Sequence, residues 1–202
     1  MSRLPGVVAV VLALVHPTLA QVIEFESNGL KYLTLTRSDV TVMFARLPTH
    51  IHEYTIIQVA VSNGARSPYF IRPEDFTFMR DDGTEVRATP ARVVVAMLTQ
   101  KGSGSDVIKL VTTYEASVYG NSHFKSTNGY EQRRQAALAM TSTRLKAAAA
   151  ASALALVQTK MAPGESTDGA VFFETEGKPL SHGHLVVRTN TDVFNFVTNT
   201  GE

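Results

Sequence analysis

The chain has 202 residues, 44% of them hydrophobic and 18% charged, a balance that places it with globular proteins and excludes disordered and collagen-like classes. Lysine and arginine total 19 against 18 acidic residues, so no general basic charge recommends a nucleic-acid partner. With no cysteine, disulfides, thiolate nucleophiles and zinc fingers are all removed.

Residues 1–20 have the form of a signal peptide. Arg3 supplies the positive start, Val7 to Val15 is an unbroken apolar run, and Pro17-Thr18-Leu19-Ala20 ends on a small residue suited to cleavage. The run is too short for a membrane span, which takes about 20 apolar residues. The expected product is exported to a periplasm or the extracellular space and is not an integral membrane protein after cleavage. Taking Arg3 from the 19 basic residues leaves 18, equal to the 18 acidic ones, so the mature chain is formally neutral.

The first stretch of the mature chain has the marks of strands. Val22 and Phe25, Leu30 to Thr36, and Val40 to Phe44 are rich in β-branched and aromatic residues, with Ser27-Asn28-Gly29 and Arg37-Ser38-Asp39 between them. In Tyr54 to Val61, Ile57, Val59 and Val61 share one face while Tyr54, Ile56, Gln58 and Ala60 share the other, as in a central strand with the first set toward the core. Phe76 and Phe78 alternate with Thr77 and Met79 ahead of Asp82-Gly83, a hairpin turn in which glycine accepts positive φ.

The period then changes. Thr89-Pro90 reads as a cap followed by proline at the first helical position, opening a helix to Gly102, although Val93-Val94-Val95 suits a strand equally. Gly102-Ser103-Gly104-Ser105 reads as a flexible connection; it has neither a nucleophile elbow nor a P-loop lysine. Val107, Leu110, Val111, Tyr114 and Val118 then fall on one helical face. After a polar loop, alanine and leucine predict one long helix from Glu131 to about Gln158, ended by Pro163-Gly164. Leu138, Ser142, Leu145, Ala149, Ser152 and Leu156 draw a narrow seam along it. Strand character returns at Ala170 to Phe173, Leu185 to Val187 and Val193 to Val197.

Strands, helices and strands in that order predict a mainly β chain: an immunoglobulin-like antiparallel β-sandwich from residues 21–89 and 162–202, with a mostly helical insertion at 90–161, α+β overall. The run Val59-Ala60-Val61-Ser62-Asn63, then Ile71-Arg72-Pro73-Glu74-Asp75-Phe76, Asp82-Gly83, Pro163-Gly164-Glu165 and Gly169-Ala170-Val171-Phe172-Phe173-Glu174 resembles the secreted bacterial immunoglobulin-like domains of the telokin-like, mycobacterial immunoprotective antigen type. The resemblance covers roughly half of the mature chain, in turn and core residues. It implies a secreted binding or structural module and carries no catalytic residue. The helical segment departs from that pattern.

Two H-x-H pairs are the main candidates for chemistry. On a strand, residues i and i+2 project to one side, so His50 with His52 and His182 with His184 each offer two imidazoles to one cation, copper or zinc, with Glu53 and Asp39 as further ligands or orienting groups. The alternative is that both pairs sit in turns and face solvent, as Pro48 and Gly183 suggest, with His123 a surface residue. Glu24 with Glu26 and Asp81 with Asp82 are paired carboxylates, of a kind far commoner at edges and turns than in catalysis. No cofactor is required.

The long predicted helix is locally basic. Arg133, Arg134, Arg144 and Lys146 stand with Lys160 against Glu131 alone, a pattern suited to an anionic partner, a lipid surface or a cell-wall polymer. The function expected is therefore that of a non-enzymatic binding or structural module whose partner, a protein or cell-envelope component, is met through the helical segment. The opposing expectation is a periplasmic metal-binding protein using His50, His52, His182 and His184.

Overall fold

The computed structural model describes residues 21–119, 129–176, 180 and 182–197. The expected signal peptide and His123 lie outside the described residues, as does the side chain of Val118.

The N-terminal strands form an antiparallel meander: β1 (Ile23–Ser27), β2 (Leu30–Arg37), β3 (Val40–Ile51) and β4 (Tyr54–Asn63). The strand expected to stop at Phe44 continues to Ile51. Its register slips between Arg46 and His50, where Pro48 has no N–H to give to a ladder. After a short β5 (Tyr69–Ile71), β6 (Phe76–Arg80) and β7 (Glu85–Thr89) form the expected hairpin, with Gly83 at φ +84°. The C-terminal third supplies β8 (Thr159–Met161), β9 (Ser166–Glu174), β10 (Gly183–Arg188) and β11 (Val193–Asn195).

Among the described residues nine strands make one continuous antiparallel sheet in the order β1-β2-β3-β4-β9-β7-β6-β10-β11, while β5 pairs with β8. The sheet curls so that its flanks meet. Ser38 Oγ, in the β2–β3 turn, donates to Asp192 Oδ1 at 2.8 Å in the β10–β11 turn. The Phe44 and Phe196 rings meet edge to face at 5.0 Å. The chain is thus mainly β, and segments from its two ends share one sheet.

The two faces of the sheet carry separate cores. Ile57, Val59 and Val61 of β4, with Val171 and Phe173 of β9, point into the curl beside Phe76, Phe78, Val187 and Phe194. Tyr54 and Ile56, with Ala170 and Phe172, face the helices. A strand buried on both faces carries apolar residues at consecutive positions, which is why β4 and β9 read as unbroken hydrophobic runs.

Among the described residues four helices cover the second face: α1 (Ala91–Lys101), α2 (Gly104–Tyr119), α3 (Tyr130–Leu138) and α4 (Thr143–Leu154). Helix α1 starts one residue later than expected, with Pro90 in the cap position. Gly102 and Ser103 form a tight corner rather than a flexible connection. The Gly102 N–H donates to Leu98 O at 2.8 Å, and a Cβ there would meet that carbonyl at 2.4 Å. Helix α2 buries Val107, Leu110, Val111 and Tyr114, as its spacing predicts.

The long helix expected over 131–158 is two helices. Met140 N–H bonds to Ala137 O, tightening the end of α3, and Ser142 takes an extended conformation before α4. Hydroxyl side chains at 141–143 favour caps and turns over helix interiors. The expected seam is also displaced: Leu145 is 48% exposed and Ser152 is exposed, whereas Ala147, Ala150, Ala151 and Leu154 are buried. Helix α4 packs against α1, α2 and α3. Alanine is the residue that lets so many neighbours approach one helix.

The helical segment leaves the sheet at Thr89, opposite Phe172, and returns beside the same strand at Ala155, opposite Ala170. There Leu156 N–H donates to Ala170 O at 2.9 Å. The two backbones are so close that a Cβ on Gly169 would lie 2.3 Å from Leu156 Cα. Uncovering side chains such as Tyr54, Ile56 and Phe172 would cost about 1.5–3 kcal/mol each, a large share of the roughly 5–15 kcal/mol that holds a domain folded. The helices are therefore part of the core.

Gly169→Ala is expected to destabilise the protein by about 3 kcal/mol or more, since backbone rather than a side-chain tip must give way. Gly104→Ala, whose Cβ would meet only Thr143 Cγ2 at 3.9 Å, is expected to be neutral or stabilising by up to about 1 kcal/mol. Urea unfolding of both variants measures the contrast.

Candidate functional site

A cleft of about 660 Å³ opens where the two flanks of the sheet come together. The β1–β2 hairpin forms one wall, through Glu24, Gly29, Lys31 and Leu33, and the β6–β7 turn and the start of β10 form the other, through Asp81, His182 and His184. Arg46 and Pro48 of β3 lie between them. Pro48 stands in the stretch where the β3 ladder is interrupted, and Gly183 lets β10 press against β6, since a Cβ there would meet Met79 O at 2.1 Å.

Arg46 is held from several sides. Nη1 donates to Leu180 O at 2.5 Å and Nη2 to Gly183 O at 3.2 Å, while the guanidinium lies 5.2 Å from the centre of the Phe78 ring. Burial lowers its pKa, but an arginine stays charged in a protein. On the wall formed by the β1–β2 hairpin, Lys31 pairs with Glu24 at 2.5 Å. The cleft therefore presents a fixed guanidinium together with ammonium, carboxylate and imidazole groups beside Leu30, Leu33 and Val197, a mixture that can bind a polar ligand with an apolar portion.

The two H-x-H pairs lie in different places. His182 and His184 share the cleft wall. His50 is exposed on β3 opposite Thr55, and His52 occupies the β3–β4 turn at φ +49°. Among the described residues no three histidine, aspartate or glutamate side chains are grouped to hold a metal ion.

His52 has a partner that its sequence neighbours do not reveal. Its Nε2 lies 3.3 Å from Asp106 Oδ2, which also accepts from Ser103 N–H and Ser103 Oγ, each at 2.8 Å. Serine, histidine and aspartate thus meet, but with the carboxylate in the middle, whereas proton relay to a serine requires the imidazole there. The arrangement is a capping box at the start of α2, with the hairpin tip fastened to it. Burial pushes the Asp106 carboxyl up, but the Ser103 hydrogen bonds and the His52 imidazole outweigh it and hold the group below its usual range. The serine-x-x-aspartate spacing at 103–106 was the available signal.

The basic residues of α3 and α4 divide. Arg133 donates to Ala153 O at 3.3 Å from Nε and 3.1 Å from Nη2, near the end of α4. Arg134 pairs with Glu115 and, at 3.7 Å, with Glu131. Arg144 is exposed and Lys146 half-buried. A second polar contact ties this layer to the sheet: Tyr114 donates its hydroxyl to the buried Asp168 Oδ2 at 2.5 Å, and the Tyr130 ring stands 5.3 Å from that of Tyr114. Burial, and then the Asp168 charge, push the Tyr114 hydroxyl well above its usual pKa, so it stays a donor.

No family model matches the chain, and no curated protein or solved structure does either.

A carboxyl whose folded pKa is depressed contributes stability above its unfolded value, about 3.9 for aspartate, and loses it as pH falls through the folded value. Asp106→Asn is expected to lower stability at neutral pH by about 1–2 kcal/mol, the size of a lost cap. That difference should shrink as both proteins are acidified below about pH 4; urea unfolding across pH measures it, and a constant difference would contradict the assignment.

Proposed function

We propose that this is an exported, non-enzymatic binding module of the cell envelope or extracellular space, built on an immunoglobulin-like sandwich, that takes a segment of an envelope protein into the cleft between its flanks. The observation that carries this reading is the cleft itself, in which Arg46 is fixed against two carbonyls and an aromatic ring before any ligand arrives. A site whose groups are already ordered loses little entropy on binding. The form of residues 1–20 and the resemblance to secreted immunoglobulin-like domains support export and a binding role. The wiring of Ser103, His52 and Asp106 as a helix cap supports a role without hydrolysis.

Photo-crosslinking in the native envelope fraction tests the proposal. A photoreactive phenylalanine analogue at exposed cleft positions Lys31 or Asp81 should give a discrete product that is absent when the analogue replaces Gln135 on the exposed side of α3. Equal products at all three positions, or none at the cleft positions, would count against it.

A further inference from the structure

One end of the helical layer gathers exposed aliphatic and basic side chains. The corner after α1 lies against α4, since a Cβ on Gly102 would meet Ala147 Cβ at 3.0 Å, and the start of α2 lies against the start of α4, since one on Gly104 would meet Thr143 Cγ2 at 3.9 Å. Ile108 stands one turn beyond Gly104 on the same side of α2 and is 65% exposed. Met140, in the α3–α4 connection, and Leu145, in the first turn of α4, are 41% and 48% exposed. Lys101, Lys109 and Arg144 are exposed among them.

In the helix ends that form this surface the exposed charge has one sign. Within residues 99–110 and 138–148 the only carboxylate is Asp106, which is buried and occupied by Ser103 and His52. Isolated exposed aliphatic residues need no explanation, but three on one helical end, set among cations and with no exposed carboxylate in residues 99–110 or 138–148, have the chemistry of a surface that meets an anionic bilayer: the cations face lipid headgroups and the aliphatic groups enter the boundary below them. A soluble polyanion would use the cations and have no use for Ile108, Met140 and Leu145. Among the described residues no helix is long and apolar enough to cross a membrane.

We infer that this end of the helical layer, through Ile108, Met140, Leu145, Lys101, Lys109 and Arg144, docks the protein on the surface of an anionic phospholipid bilayer. This site is separate from the cleft, and the inference does not rest on what the cleft holds.

Co-sedimentation with vesicles tests it. The protein should bind vesicles of phosphatidylcholine mixed with phosphatidylglycerol, bind those of phosphatidylcholine alone far less, and lose binding as salt is raised. Arg144→Gln should weaken partitioning about fivefold, the usual effect of one basic residue near such a surface, and Ile108→Ser with Leu145→Ser about tenfold or more. All of these side chains are exposed, so urea midpoints should stay near wild type and separate lost docking from lost folding. Failure to bind the mixed vesicles, or binding untouched by both substitutions, would overturn the inference. So would a soluble polyphosphate that binds the wild type and the double serine variant equally, since that would assign the patch to an anionic polymer.

Discussion

The pairing of β4 with β9 is the constraint on which the rest of the molecule depends. It joins Tyr54–Asn63 from the first third of the chain to Ser166–Glu174 from the last, and both strands are covered on both faces. Inside the curl, Val59 and Phe173 meet the aromatic residues of β6 and β11; outside it, Ile56 and Phe172 meet the helices. Loss of cover on either face would leave apolar side chains of the same two strands in water, because these strands divide the cores. The helical layer is closed against β9 at Ala155 and Leu156 by backbone contact, which is why position 169 is glycine.

The same arrangement puts two surfaces with different chemistry at neighbouring places. Pro48 lines the cleft, and four residues later in β3 and its turn His52 is fastened to Asp106 at the start of α2. The basic, aliphatic end of the helical layer begins from that helix. The β3–β4 hairpin is therefore the mechanical link between the cleft and the end of the layer proposed to meet a membrane, and the Asp106 cap keeps that link in place.

What could be read from the sequence followed from contrast in side-chain size and polarity. The alternation in Tyr54 to Val61, the Asp82-Gly83 turn and the face formed by Val107, Leu110, Val111 and Tyr114 all appear where their residues predict. Helix α4 offers no such contrast. Its buried residues are mostly alanine and one of its two leucines, Leu145, faces solvent, so spacing points to the wrong side. The break before α4 carries neither glycine nor proline, and strong alanine propensity hides it. The cleft, the contact of Asp168 and the contact of Asp106 with His52 are beyond reach for another reason: Glu24, Arg46, Asp81 and His184 come from four separate segments, and Tyr114 reaches Asp168, as His52 reaches Asp106, across 54 positions of chain. Such meetings are products of topology, which local pattern does not carry.

With β4 and β9 buried between the curl and the helices, the sheet and the helical layer form one cooperative unit. Native-state hydrogen exchange on the whole chain measures this directly. Amides at Val59 in β4, Val171 in β9, Leu110 in α2 and Ala151 in α4 should exchange only through global unfolding, with a common free energy and a common dependence on denaturant. Exchange of the α2 and α4 amides through a smaller opening that leaves β4 and β9 protected would contradict it.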